Sequence, residues 1–111
     1  MNIIINLFIK SLAVFIAAYL LPGVKLDSFF TAIVVAIVLG IVNTIIKPII
    51  LILTLPFNIL TLGLFTFIIN GLMIIFTASI VPGFRVSGIW QAIVFSIVLF
   101  FVNWFLDKIS K

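Results

Sequence analysis

The sequence predicts an all-α integral membrane protein of four transmembrane helices, built as two tandem helical hairpins with an apolar interfacial or re-entrant segment between them. Three observations predict it. Of 111 residues, 67% are hydrophobic and 7% charged, against roughly 45–50% apolar and 25% charged in soluble domains. The few charged side chains leave residues 28–46, 48–84 and 86–106 without a charge. The chain also lies on itself at an offset of 60 positions, the mark of an internal repeat.

The elements follow in order. A helix needs roughly 20 residues at 1.5 Å each to cross about 30 Å of hydrocarbon, and spanning strands would require an alternation of apolar and polar residues that this chain lacks. Helices are therefore expected near 3–21, 29–47, 61–80 and 88–107. The first is read as a retained span and not a secretory leader, because no basic region precedes its apolar run and Lys10 sits inside it. Turn chemistry separates the helices: Pro22-Gly23 through Asp27-Ser28, Pro82-Gly83 through Gly88, and Pro48, Pro56 and Gly63 around the middle connection. Asp27-Ser28 also reads as the N-cap of the second helix. Residues 48–60 are as apolar as the spans but too short to cross, so an interfacial or re-entrant segment, or a kinked extension of helix two, is expected there.

The offset of 60 lays residues 21–47 on 81–107 with identity at Pro22, Gly23, Ala32, Ile33, Val34, Ile37, Val38, Leu39, Val42 and Asn43, against about three matches by chance in so apolar a composition. The chain is then a single transmembrane domain over 1–111, with repeat 1 at about 2–47, the connector at about 48–60 and repeat 2 at about 61–108. Both Pro-Gly loops fall on one face and both termini on the other. The terminal face carries Lys47, Lys108 and Lys111, with Lys10 leaning towards it, and the loop face carries Lys25 and Arg85. The positive-inside rule puts the termini in the cytoplasm. Tyr19, Trp90 and Trp104 fall near span ends, where interfacial aromatics belong.

Measured from the loop face, Asn6, Asn43, Thr66 and Asn103 lie about 21–23 Å deep, with Lys10 and Asn70 about one turn shallower. Asn6 and Lys10 are four apart, as are Thr66 and Asn70, so each pair shares a helical face. These six residues are expected to form a polar cluster in the terminal half of the bundle. Two uses stay open. Such side chains join helices by hydrogen bonds worth about 0.6–2 kcal/mol, or they line a hydrated path or ion site. Small residues at helix-packing spacing, Ala32, Ala36 and Gly40 in the second helix and Ala92 and Ser96 in the fourth, predict close helix approach within one chain or between copies in a homo-oligomer.

The chain has no Cys and no His, and its two carboxylates, Asp27 and Asp107, fall on opposite faces of the membrane. No catalytic residues, cofactor or metal site are expected, and the protein is not read as an enzyme. The net charge of +4 is dispersed over both faces. It fits a lipid bilayer as partner and not a nucleic acid, and no small-molecule substrate is evident.

The succession Asn43-Thr44-Ile45-Ile46-Lys47-Pro48, Leu55-Pro56-Phe57-Asn58-Ile59-Leu60-Thr61-Leu62-Gly63-Leu64-Phe65, Asn70, and Pro82-Gly83-Phe84 with Ala92 resembles the four-span phage holin family, superfamily IV, over nearly the whole chain. That resemblance implies a small bacterial inner-membrane protein of four helices that oligomerises and breaches the cytoplasmic membrane. A non-conducting structural or accessory envelope protein is the second class the sequence leaves open.

Overall fold

A computed structural model describes residues 3–110. Its elements are α1 (Ile3–Leu20), β1 (Val24–Leu26), α2 (Phe29–Ile41), a π-helical turn (Val42–Ile46), α3 (Lys47–Leu53), α4 (Leu55–Leu60), α5 (Phe65–Ile80), β2 (Phe84–Val86) and α6 (Ile89–Ser110). The runs Ile3–Leu20, Phe29–Leu53 and Ile89–Ile109 are each long and apolar enough to cross a membrane, and Phe65–Ile80 is a shorter apolar helix. The protein is therefore a mostly helical membrane protein whose surroundings are lipid.

Helix α2 begins at Ser28, whose backbone is extended and whose Oγ accepts from the Thr31 N–H at 3.3 Å. Asp27, the other half of the expected cap, instead turns away and accepts from Arg85 at 3.2 Å. The helix expected to stop at Lys47 runs on to Leu53. Pro48 lacks a backbone N–H and its ring crowds the preceding turn of a regular helix. The π turn widens the helix just ahead of it: the Lys47 N–H reaches back five residues to the Val42 carbonyl, so the chain passes Pro48 without breaking. Of the alternatives for residues 48–60, the extension of helix two thus holds as far as Leu53. A break at Thr54 and the short α4, with Pro56 in its first turn, complete the connection.

The succession from Leu55 to Thr66 is a clasp. The Gly63 N–H donates to the Asn58 carbonyl at 2.8 Å and the Leu62 N–H to the Ile59 carbonyl at 3.2 Å. With Leu62 at φ 59° and Gly63 at φ 88°, this closes the end of α4 as a Schellman turn. The Thr61 hydroxyl donates to the Phe57 carbonyl and accepts from the Phe65 N–H, which starts α5. The Thr66 hydroxyl donates to Asn58 Oδ1 at 3.0 Å, tying the two helices together.

At the opposite end the two Pro-Gly loops pair with each other. β1 and β2 run antiparallel with Lys25 opposite Arg85, Val24 opposite Val86 and Leu26 opposite Phe84. The Asp27 N–H donates to the Gly83 carbonyl at 3.0 Å and the Ser87 N–H to the Gly23 carbonyl at 2.9 Å. Gly23 and Gly83 stand at φ 89° and 88°, and an added Cβ would come within 2.7 Å of Ser87 Oγ and of Asp27 Oδ2 respectively. The positive φ demands glycine at both positions, and the opposing side chains would have to shift for a larger residue. Gly23→Ala and Gly83→Ala are each expected to destabilise the protein by about 1–2 kcal/mol. Gly40→Ala, with nothing within 4 Å of its Cβ position, is expected to be neutral or stabilising. Melting temperatures in one detergent compare the three.

The helices pack in a ring, α1 on α2, α2 on α5, α5 on α6 and α6 on α1. Its centre is filled by Val14, Ala17, Ala32, Val35, Ile69, Ile74, Ala92 and Phe95. Phe84 from the ribbon caps it, its ring centroid 5.7 Å from that of Phe95.

Candidate functional site

The polar residues that the folded chain gathers lie between the second helical run, α5 and α6. A cleft of about 190 Å³ is lined there by Asn43, Lys47, Asn70, Ser96 and Asn103, with Leu39, Ile74, Leu99 and Phe100 as its apolar walls. Each polar lining residue comes from a different local cause. Asn43 sits in the π turn, where the Lys47 N–H has gone to Val42 and position 48 is a proline, so the Asn43 carbonyl lacks the donor that a regular helix supplies. Lys47 follows four residues later. Asn70 faces the cleft from α5, beside the buried Gly71 at which α5 approaches α6 closely. The Ser96 hydroxyl donates to the Ile93 carbonyl of its own helix at 2.7 Å and keeps its lone pairs for the cleft. Asn103 Oδ1 is buried and has no hydrogen-bond partner among the described residues.

An orphaned buried amide oxygen is uncommon, and a water or a ligand is one way in which its bonding is completed. The chemistry available is that of donors and acceptors, the Ser96 hydroxyl among them, and one ammonium group, with no carboxylate in the lining.

Of the six polar residues expected to cluster, Asn43, Asn70 and Asn103 meet in this cleft. Thr66 serves the clasp to Asn58. Asn6 is exposed and Lys10 half-buried on α1, neither lining this cleft. Lys47 is legible in the sequence as a charge of the terminal face and as part of the family succession, and its four-residue spacing from Asn43 repeats that of Asn6 to Lys10 and of Thr66 to Asn70. That spacing was the available signal. Among the small residues, Ala32, Ala36 and Ala92 are buried and Ser96 lines the cleft, whereas Gly40 faces outward with open space around it. Of the basic residues expected on the terminal face, Lys108 lies 5.7 Å from the Trp104 ring, and Lys111 lies outside the described residues. At the ribbon end, Lys25, Arg85 and Asp27 are exposed, and the Asp27–Arg85 pair is a surface ion pair worth little to stability.

A family model described as the mycobacterial 4 TMS phage holin, superfamily IV, matches residues 1–105. An uncharacterized protein of Streptomyces coelicolor is 35% identical, with 96% of this chain and 93% of that protein covered. The uncharacterized membrane protein YvlD of Bacillus subtilis is 31% identical, with 94% and 88% covered. No solved structure matches the chain.

Proposed function

The chain belongs to the mycobacterial-type four-span phage holins of superfamily IV, and from that premise we propose that it acts as a holin-like protein, assembling with copies of itself and permeabilising the bacterial cytoplasmic membrane. The observation that carries this reading is the polar cleft. Counted from Phe29, Ile80 and Ile89 at 1.5 Å per residue, Asn43, Asn70 and Asn103 lie about 15–21 Å from the ribbon end, inside the hydrocarbon zone. Polar groups at that depth need partners, and lipid tails offer none. Water, headgroups or the polar face of a second copy satisfy them, and each of these brings polar material into the bilayer.

In this reading α5 is the fourth span, its 16 residues giving about 24 Å that the turn at residues 61–64 completes. The repeat is one hairpin used twice. Its support is the ribbon register: Lys25 and Arg85 are 60 apart and face each other, and the bonds Asp27 to Gly83 and Ser87 to Gly23 exchange under the same offset. The excess of Lys10, Lys47, Lys108 and Lys111 over Lys25 and Arg85 favours cytoplasmic termini. Gly40 offers an open small-residue surface to a second copy.

One observation favours the second reading, a non-conducting accessory membrane protein. Ala32, Val35, Ala92 and Phe95 fill the middle of the ring, each 0% exposed, so the described residues of a single copy leave no channel along its axis. The test is membrane potential in bacteria expressing the chain under tight control. The native chain is expected to depolarise abruptly, and the triple variant Asn43→Leu, Asn70→Leu, Asn103→Leu, at equal membrane abundance, to do so at least about tenfold later. Lys10→Leu, away from the cleft, should leave the onset unchanged. A steady potential at high abundance of the native chain would refute permeabilisation and leave the accessory reading.

A further inference from the structure

We propose that the cleft between the second helical run, α5 and α6 holds the headgroup of an anionic phospholipid whose head carries hydroxyl groups, as in phosphatidylglycerol, with an acyl chain lying in the apolar groove beside it. The inference rests on the cleft's own chemistry and stands whether or not the chain permeabilises a membrane.

The charge comes first. Lys47 lines the cleft and no carboxylate does. Asp27 is at the far end on Arg85, and Asp107, one turn beyond Asn103, lies outside the lining. An ammonium group at a half-buried position with no acidic partner in its cleft attracts an anion, and more strongly than at a fully exposed site. The depth agrees. Lys47 stands 18 residues beyond Phe29, about 27 Å from the ribbon end of its helix, close to where about 30 Å of hydrocarbon gives way to phosphate.

Hydrogen-bond capacity narrows the choice of anion. Asn43 and Asn70 present amides that can donate, and Lys47 donates as well, which suits phosphodiester oxygens. Asn103 Oδ1 is an acceptor, buried and unpartnered, and a phosphodiester has no proton for it. A headgroup hydroxyl does. A choline head lacks a donor and places a second cation beside Lys47. A glycerol head brings hydroxyl donors and no positive charge.

The shape then separates a lipid from a free anion. A second hollow of about 420 Å³ adjoins the cleft and shares Asn70, Ser96 and Phe100 with it, its remaining walls being Phe67, Ile97 and Phe101. A polar cleft that reaches from phosphate depth at Lys47 down to the amides below it, and opens into an apolar groove on the lipid-facing side, has the two-part form of an amphiphile. An inorganic ion would use only the first part.

The test uses the full-length protein in neutral detergent. Phosphatidylglycerol, phosphatidic acid, phosphatidylcholine or inorganic phosphate is added, and bound adducts are counted by native mass spectrometry beside the melting temperature. One phosphatidylglycerol per chain is expected to be retained at least about tenfold better than phosphatidylcholine, and to raise the melting temperature. Lys47→Gln is expected to lower that retention about tenfold, Lys47→Arg to keep it within about threefold, and Lys108→Gln, at the same end but outside the cleft, to leave it unchanged. Asn103→Leu should narrow the preference for phosphatidylglycerol over phosphatidic acid, which lacks the glycerol head. Equal retention of phosphatidylglycerol and phosphatidylcholine would overturn the proposal. So would an equal loss from Lys47→Gln and Lys108→Gln, which would mean diffuse surface charge. Stabilisation by inorganic phosphate matching that by phosphatidylglycerol would reduce the site to one for a free anion and overturn the lipid assignment.

Discussion

Replacing Gly71 by leucine is expected to force α5 away from α6 and to destabilise the protein by about 3 kcal/mol. Gly71 is buried, and even a single added Cβ would stand 2.6 Å from Ile93 Cγ1, 3.2 Å from the Ile93 backbone nitrogen and 3.4 Å from Ile89 Cδ1. The second of these atoms cannot rotate aside, because it belongs to the backbone of the neighbouring helix. Insertion of extra atoms into a packed site costs about 1–3 kcal/mol where side chains can yield, so a leucine facing backbone belongs at the upper end. The loss is amplified in lipid, where close van der Waals contact between helices is a main source of their attraction. The same change at Gly40, which meets nothing within 4 Å, supplies the control and is expected to be nearly neutral. Unfolding in increasing SDS, followed by circular dichroism, compares the two. Equal midpoints for Gly71→Leu and Gly40→Leu would show that α5 and α6 do not depend on this contact.

Gly71 also marks a boundary of what the sequence discloses. Apolar spacing and the gaps between charges located the helical segments, and Pro22-Gly23 and Pro82-Gly83 announced their turns, because these signals are local. Gly71 has Phe67 and Ile75 four residues to either side, so no small-xxx-small pattern betrays its role. It matters through Ile93, on another helix. The ribbon was hidden for the same reason: Val24–Leu26 and Phe84–Val86 are three residues each, and their pairing depends on the helices bringing the loops together. Pro48 misled in the opposite direction, since its usual meaning as a helix end is cancelled by a wider turn ahead of it.

The candidate site divides along the same line. Helical depth puts Asn43 and Asn103 at one level and Asn70 about one turn away, near enough for residues on neighbouring packed helices to line one cleft. Depth carries no information on azimuth. Asn6 and Lys10 share the level and the four-residue spacing, yet α1 lies across the ring from α5 and presents them elsewhere. Thr66 was claimed by Asn58, which the sequence offered only as part of a family motif. Lys47 lines the cleft one turn beyond Asn43, and the wider turn that joins the two is not announced by their spacing.

Phe95→Ala is expected to destabilise the fold by about 2 kcal/mol, less than the same substitution in a water-soluble core. Phe95 is 0% exposed and its ring meets that of Phe84, itself 1% exposed, at 5.7 Å between centroids and 52° between planes. In water-soluble proteins Phe→Ala in a core costs about 3–5 kcal/mol, the sum of a transfer term and a cavity term. A membrane removes most of the transfer term, since a phenyl ring released from the core enters lipid and not water. The cavity remains. Losing roughly 100 Å³ at about 24 cal/mol per Å³ leaves about 2 kcal/mol. Position 95 lies 60 residues after Val35 and position 84 after Val24, and all four are buried. One half of the ring therefore fills with aromatic rings where the other carries valines, and the wide side is the one an alanine would hollow out. Phe105, 57% exposed on the same helix, faces lipid before and after truncation, so Phe105→Ala should shift the SDS midpoint by less than about 0.5 kcal/mol. Equal shifts for the two variants would mean that the rings at positions 84 and 95 do not hold the ribbon to the bundle. A loss of 4 kcal/mol or more for Phe95→Ala would instead mean that the centre of the ring exchanges with water when the protein unfolds.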